Sequence, residues 1–274
     1  MTAGILYIVP TPIGNLEDMS SRALRVLEEV DAIAAEDTRH SKTLLSHFGI
    51  TTPLFAVHEH NERQKVDSVV AKLLEGQSIA LISDAGTPLI SDPGFPLVRG
   101  CREHNIQVVS LPGPCAAVVA LAGSGLPTDQ FKFCGFLPAK SGARKKVLKN
   151  YAEATETLVF YEAPRRILDC LADISEVLGD EREIVLGREL TKQFETFLSG
   201  TAQQLAEKIE KDPNQQKGEM VLMIAGQSPQ KDDIPQEAIR LLEALRAELP
   251  PKKAAKIVAQ HYDLSANELY KLNL

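Results

Sequence analysis

SIALISDAGTPLISDPG, residues 78–94, decides the fold. It opens with four apolar residues in a row, Ile79 to Ile82, which predicts a strand buried on both faces rather than one that alternates between core and water. Glycine, proline and two Ser-Asp pairs follow, so the strand ends in a tight polar loop. That sequence form belongs to parallel α/β sheets, in which helices cover both faces and ligands bind beyond the carboxyl ends of the strands. Outward from this stretch the pattern repeats. GILYIV (4–9), AIAAED (32–37), PLFAV (53–57) and IQVVSL (106–111) read as further strands. SSRALRVLEEV, a segment over 42–48 closed by Gly49, and ERQKVDSVVAKLLEG read as the helices between them. Five strands make one α/β domain over residues 1–128.

A second α/β domain is expected over residues 129–228. Its strand candidates are FKFCGF (131–136), TLVFYE (157–162), REIVLGREL (182–190), ETFLSG (195–200) and GEMVLMIAG (218–226), with helices near 142–153, 164–178 and 201–211. The step from 190 to 195 is too short for a crossover helix, so that pair must be antiparallel and the sheet mixed. Beyond SPQKDDIP (228–235) the chain is wholly helical, a small appendage over 229–274. The fold class is therefore α/β in two domains, with a mostly parallel N-terminal sheet, a mixed C-terminal sheet and a short helical C-terminal segment.

The 274 residues carry a net charge of -7, which argues against nucleic-acid binding through the overall field. That sum hides a division. Residues 1–131 hold 9 basic and 15 acidic groups, whereas Lys132, Lys140, Arg144, Lys145, Lys146 and Lys149 occur with no acid between Asp129 and Glu153. This run is either a solvated helix face or a phosphate-binding lip, together with Arg165, Arg166 and Arg188. Four cysteines without a C-x-x-C pair fit a reducing cytoplasm, and no metal site is expected. The N-terminus lacks a basic segment ahead of its apolar run and reads as a strand. Asn105 to Thr128 is 24 uncharged residues, but Pro-Gly-Pro and two further glycines break it, so no membrane span is expected.

The loops after the strands carry the chemistry. PTPIGNLED (10–18), AEDTRH (35–40), SDAGTPLISDPG (83–94) and SLPGPCA (110–116) are rich in small residues that let a ligand approach the backbone. They contain neither G-x-G-x-x-G nor a P-loop and offer little positive charge to a phosphate. The combination favours a neutral or zwitterionic adenosyl ligand over a nucleoside triphosphate. FYEAPRR (160–166) and GRELTK (187–192) end apolar strands in acids and arginines. Tyr161 and Phe160 are candidates to stack on a base, although filling the core is the default for Phe160. His58-Glu59-His60 lacks a third metal ligand.

PTPIGNLEDMSSRAL, AEDTRHS, ALISDAGTPLISDPG, SLPGPCA, FYEAPRR and GRELTK together resemble the ribosomal branch of the tetrapyrrole-methylase superfamily, the bacterial 16S rRNA ribose 2′-O-methyltransferases, over essentially the whole chain. The resemblance implies two α/β domains that clamp S-adenosylmethionine, methylation of a cytidine 2′-hydroxyl in the decoding region of 16S rRNA in the small ribosomal subunit, a homodimer, and a cytoplasmic enzyme. It implies cofactor contacts at Pro12, Asn15, Ser83, Asp84, Ala85, Gly86, Thr87, Ser91, Pro112, Gly113, Ala116, Phe160 and Tyr161. Corrin-precursor methylases carry a Gly-Asp-Pro type loop where this chain has Ser83-Asp84-Ala85, which favours the ribosomal branch. The alternatives are a tetrapyrrole C-methyltransferase and a non-catalytic RNA-binding assembly factor.

A ribose hydroxyl must lose its proton to act as nucleophile. Asp37, Glu36, Glu189, Lys192 and His40 are the available bases, with Arg39 orienting an acid or holding phosphate. Lysine serves as a base only if its pKa is depressed. The expected catalytic set is Asp37, Arg39, Glu189 and Lys192, with the AEDTR and GRELTK loops meeting across the cleft, unless Asp37–Arg39 and Glu189–Arg188 are structural pairs. Arg144, Lys145, Lys146, Lys149, Arg165, Arg166 and Arg188 are the expected RNA contacts.

Overall fold

The computed structural model describes residues 2–227, 234–262 and 264–272. The chain divides into two compact units, Met1–Gly226 and Gln227–Leu274. Of the expected linker SPQKDDIP, residues 228–233 lie outside the described residues, and so does the boundary expected at 228.

The first sheet is wholly parallel, in the order β3 (Leu54–Ala56), β2 (Ala32–Ala35), β4 (Ile79–Ile82), β1 (Ile5–Ile8), β5 (Gln107–Ser110). Strand periodicity explains why the run at 79–82 has no polar residue. Ala80 and Ile82 pack with Ile33 and Ala35 against α1 (Ser21–Glu29), whereas Ile79 and Leu81 pack with Ala34 against α3 (Glu62–Leu74) and α4 (Phe95–Glu103). Gly94, Pro96 and Gly100 lie at the start of α4 and within it without breaking it. Pro96 sits in the first turn, where no N–H is needed. Gly100 lies against Val66 of α3, so its missing side chain permits close helix packing rather than breaking the helix.

The second sheet is mixed, in the order β6 (Phe131–Phe136), β7 (Thr157–Glu162), β10 (Met220–Ile224), β8 (Ile184–Arg188), β9 (Thr196–Gly200). Only β6 and β7 pair in parallel; β8 and β9 are antiparallel, as the short step between them requires. One face packs on α6 (Ser141–Lys149), α7 (Ile167–Leu178) and α8 (Ala202–Lys211). The other receives α5 (Ala116–Ser124) and Ile13 from the first loop. The segment 1–128 thus contributes a helix to the second sheet, and both sheets belong to one compact unit.

In the second unit α9 (Gln236–Glu248), α10 (Pro251–Tyr262) and α11 (Ala266–Lys271) enclose a small core of Ala238, Leu242, Ala254, Ala255, Val258 and Leu269. Arg246 closes it by donating to the carbonyls of Leu269 and Leu272, at 2.9 and 2.8 Å. Among the described residues no helix is long and apolar enough to cross a membrane.

Candidate active site

The first loop, PTPIG, bridges to the loop after β4. Thr11 N–H donates to Gly86 O at 2.9 Å, Gly86 N–H returns the bond to Thr11 O at 3.0 Å, and Thr87 Oγ1 donates to Pro114 O at 2.8 Å in the loop after β5. Gly86 has φ +82°, and a Cβ there would press on Ile13 at 3.3 Å, so the backbone turn requires glycine. These three loops wall one side of a cavity of about 330 Å³. Ile13, Ala85, Gly86, Thr87, Ser91, Asp92, Cys115 and Ala116 line it from the first sheet, and Phe136, Tyr161, Glu162, Gly187, Leu190, Glu219 and Val221 from the second.

The lining has a marked charge bias. Asp92 and Glu219 line it, as does Glu162, whose carboxylate is buried on the Phe160 face of β7, and no lysine, arginine or histidine does. Glu162 Oε1 accepts from Arg166 Nε at 2.8 Å and from the Ala163 N–H at 2.7 Å, while its buried Oε2 has no hydrogen-bond partner. Glu219 is exposed and holds Lys192 at 2.9 Å. Asp92 is pushed up to about 6, first by burial and then by the charge of Glu36. Burial likewise raises Glu36, and holds the Tyr161 phenol far above its usual range.

Four non-glycine residues of the two lobes' facing loops hold left-handed backbone: Leu89 and Ser91 after β4, and Glu189 and Thr191 after β8, with φ between 51° and 73°. Such conformations cost about 1–3 kcal/mol each and persist only where the surroundings impose them. Lys192 lies across Gly14, where any Cβ would collide with its side chain. The GRELTK loop therefore meets the first loop. No hydrogen bond or ion pair joins it to Asp37 or Arg39 among the described residues.

Ala85, Gly86, Thr87, Ser91, Ala116 and Tyr161, expected at the cofactor, line the cavity. Pro12, Asn15, Ser83, Asp84, Pro112 and Gly113 do not; several form the layer behind it. Asn15 caps the short helical turn at 16–18, Ser83 is buried under Gly86, and Gly113 packs on Pro10. Asp84 Oδ1 accepts the Asp37 N–H at 3.1 Å. Phe160 is a correction. Strand alternation turns it away from Tyr161 into the core beneath α6 and α7, where it is fully buried.

Asp37 caps α2 (Thr38–His47) and pairs with Arg39 at 3.0 Å, and hydrogen bonds from Arg39 draw its carboxyl down to about 2. Burial works upward on Glu189, but Lys192 and the Glu219 N–H outweigh it and lower its pKa. Burial also works downward on Lys192, and Glu189 and Glu219 reverse it, so its pKa is raised. Lys192 is therefore a held cation and does not meet the condition for a base.

The basic lip divides too. Lys146, Lys149 and Arg165 are exposed. Arg144 is a correction: it is 2% exposed, with its Nε on Asp173 at 2.6 Å. Arg188 is a second, buried and donating to Thr196, Gln215 and the carbonyls of Phe194 and Lys217. Arg166 is occupied by Glu162, and Lys145 by Glu176 and Asp173. The residues missed in the sequence are Ile13, Asp92, Glu162 and Glu219. A signal for Asp92 existed in the second Ser-Asp pair of 83–94, next to a glycine-proline turn.

Residues 5–206 match the family model of the Tetrapyrrole (Corrin/Porphyrin) Methylases, and residues 232–274 match the RsmI C-terminal HTH domain. The chain is 58% identical over 273 residues to the Ribosomal RNA small subunit methyltransferase I of Haemophilus influenzae, covering 99% of this chain and 96% of that protein. With the protein of the same name from Escherichia coli O157:H7 it shares 56% identity over 271 residues, 99% of this chain and 95% of the other. Among solved structures, the methyltransferase CobJ matches with a TM-score of 0.61 at 16% identity, over 82% of this chain and 95% of that one, which is a likeness of fold.

Proposed function

The chain belongs to the tetrapyrrole (corrin/porphyrin) methylases, in the branch of the small-subunit ribosomal RNA methyltransferases, and from that premise we propose that it transfers the methyl group of S-adenosylmethionine to the ribose 2′-hydroxyl of a cytidine in the decoding region of 16S rRNA. The observation that carries the reading is the cavity's charge: carboxylates and backbone, with no cationic side chain in the lining. S-Adenosylmethionine bears a sulfonium and an ammonium group beside an adenosine, so it fits a wall that would repel a phosphate-bearing cofactor. When bound, it supplies a methyl group already activated for transfer.

The remaining work falls to the chain. Gly86 and its neighbours present backbone at close range, and Ile13, Leu190 and Val221 supply apolar wall. Outside the cavity, Lys146, Lys149 and Arg165 are exposed cations that suit RNA phosphates, and we assign substrate docking to them rather than to Arg144 or Arg188. The enzyme acts as a cytoplasmic homodimer on this reading. Its test offers methyl-labelled S-adenosylmethionine to naked 16S rRNA, assembled small subunits and a tetrapyrrole precursor in parallel. Label recovered as 2′-O-methylcytidine is the expected result, and label on the tetrapyrrole alone would overturn it.

A further inference from the structure

Five titratable residues line the cavity: Asp92, Cys115, Tyr161, Glu162 and Glu219. Most are committed. Arg166 and a backbone N–H hold Glu162, Lys192 holds Glu219 at the exposed rim, and burial keeps the Tyr161 phenol protonated. Asp92 differs from the other two carboxylates, because no lysine, arginine or histidine forms an ion pair with it among the described residues. It receives a hydrogen bond from Ser83. The groups around it are Glu36 at the end of β2 and Asp84 after β4, with Tyr161 across the cavity and Cys115 beside that ring. Asp92 is thus a carboxylate in the lining of the cavity assigned above to the cofactor, with no ion-pair partner among the described residues.

We propose that Asp92 accepts the proton that the ribose 2′-hydroxyl gives up during methyl transfer, an inference that rests on the 2′-O-methylation reading above. In this step the hydroxyl oxygen bonds to the methyl carbon while the carbon–sulfur bond breaks and its electron pair returns to sulfur. The hydroxyl proton passes to Asp92, which releases it to water afterwards. No further reagent is needed. Burial and the acids Glu36 and Asp84 make Asp92 a stronger base than an ordinary aspartate, yet it is still mostly ionised above neutrality. Asp37, Glu189 and Lys192 each have their charge satisfied by a partner. Asp92 has no ion-pair partner among the described residues; only the Ser83 hydroxyl bonds to it.

The test compares wild type, Asp92→Asn and Asp92→Glu by three measurements: cofactor affinity by calorimetry, single-turnover transfer to substrate RNA from pH 5 to 9, and carboxyl ¹³C titration of the apo-protein. The expected outcome is a cofactor Kd for Asp92→Asn within about threefold of wild type and a rate lower by about 100-fold or more. The acid limb of the wild-type rate, centred near 6, disappears in that variant, and the apo carboxyl titrates near the same value. Asp92→Glu should recover part of the rate. Transfer by Asp92→Asn within tenfold of wild type would overturn the proposal. So would a defect confined to cofactor affinity, which would make Asp92 a partner of the methionine ammonium. If wild type itself places no methyl on RNA, the functional reading fails; if wild type is active and Asp92→Asn equally so, only the role of Asp92 fails.

Discussion

The two lobes of the first unit handle buried charge in opposite ways. In the second lobe it is paired: Arg144 with Asp173, Arg166 with Glu162, and Arg188 among four neutral acceptors. At the loop edge of the first sheet it has one sign: burial, with the charge of neighbouring acids beside it, raises the pKa of Glu36 and of Asp92. Paired charge fixes the positions of helices. Unpaired charge of one sign costs stability and is retained where chemistry or a cationic ligand uses it.

The largest effect that should distinguish the lobes is at Arg144. Its guanidinium is 2% exposed and Asp173 is 8% exposed, so removing Arg144 leaves a buried carboxylate with only Ser141 and the more distant Lys145 to hold it. Arg144→Ala should cost about 3–5 kcal/mol, read as a lower urea midpoint at an unchanged slope. RNA affinity per folded molecule should not change. A stable variant with weakened RNA binding would return Arg144 to the basic lip and erase the contrast.

Asp92 should show the opposite sign. A carboxyl whose pKa is higher folded than unfolded holds its proton more tightly in the folded state. Its contribution is therefore complete below about 4 and is lost as the pH rises through about 6. Asp92→Asn should accordingly stabilise the apo-protein at pH 8 and flatten that part of the pH–stability curve. Solvent screening of this partly exposed group holds the expected gain to about 1–2 kcal/mol. Thermal unfolding from pH 4 to 8 measures it, and a variant less stable than wild type at pH 8 would remove the unpaired charge from the account.

Much of this was legible in the sequence where one period decided it. The run at 79–82 announced its burial, the short step between β8 and β9 announced their direction, and the small-residue loops announced the cavity. Side-chain partners were not legible. Arg144, Lys145 and Lys146 are consecutive and chemically alike, yet helix α6 turns the first onto Asp173 of α7 and leaves the third in water. Their fates depend on a residue 29 positions away. The same holds for AEDTRH and SDPG, which look equally suited to supply a base. Arg39 lies two residues from Asp37 and could be read as its partner, whereas the acids that crowd Asp92 are Glu36 from the loop after β2 and Asp84, eight positions earlier in its own loop.

The smallest effect concerns that first pair. Asp37 sits at the start of α2 and accepts both the Arg39 N–H at 2.8 Å and its guanidinium, which draws its pKa down to about 2. A carboxyl lowered in the folded state contributes stability that is present above about 4 and lost as the pH falls through about 2. The Arg39 side chain is 91% exposed and water screens the pair, so its energetic share is minor and its local share is to cap the helix. Arg39→Ala should therefore return the Asp37 carboxyl upward toward its ordinary range without reaching that of Asp92, because the backbone N–H bond persists. Carboxyl ¹³C titration of the two residues in one sample reads both midpoints. If Asp37 in that variant rises to meet Asp92 near 6, the loop edge is uniformly acid-crowded and pairing is not what separates them. If it stops well short, the capping geometry of α2, as well as the arginine, keeps Asp37 an acceptor of hydrogen bonds, and the sheet edge is left with Asp92 as its proton acceptor.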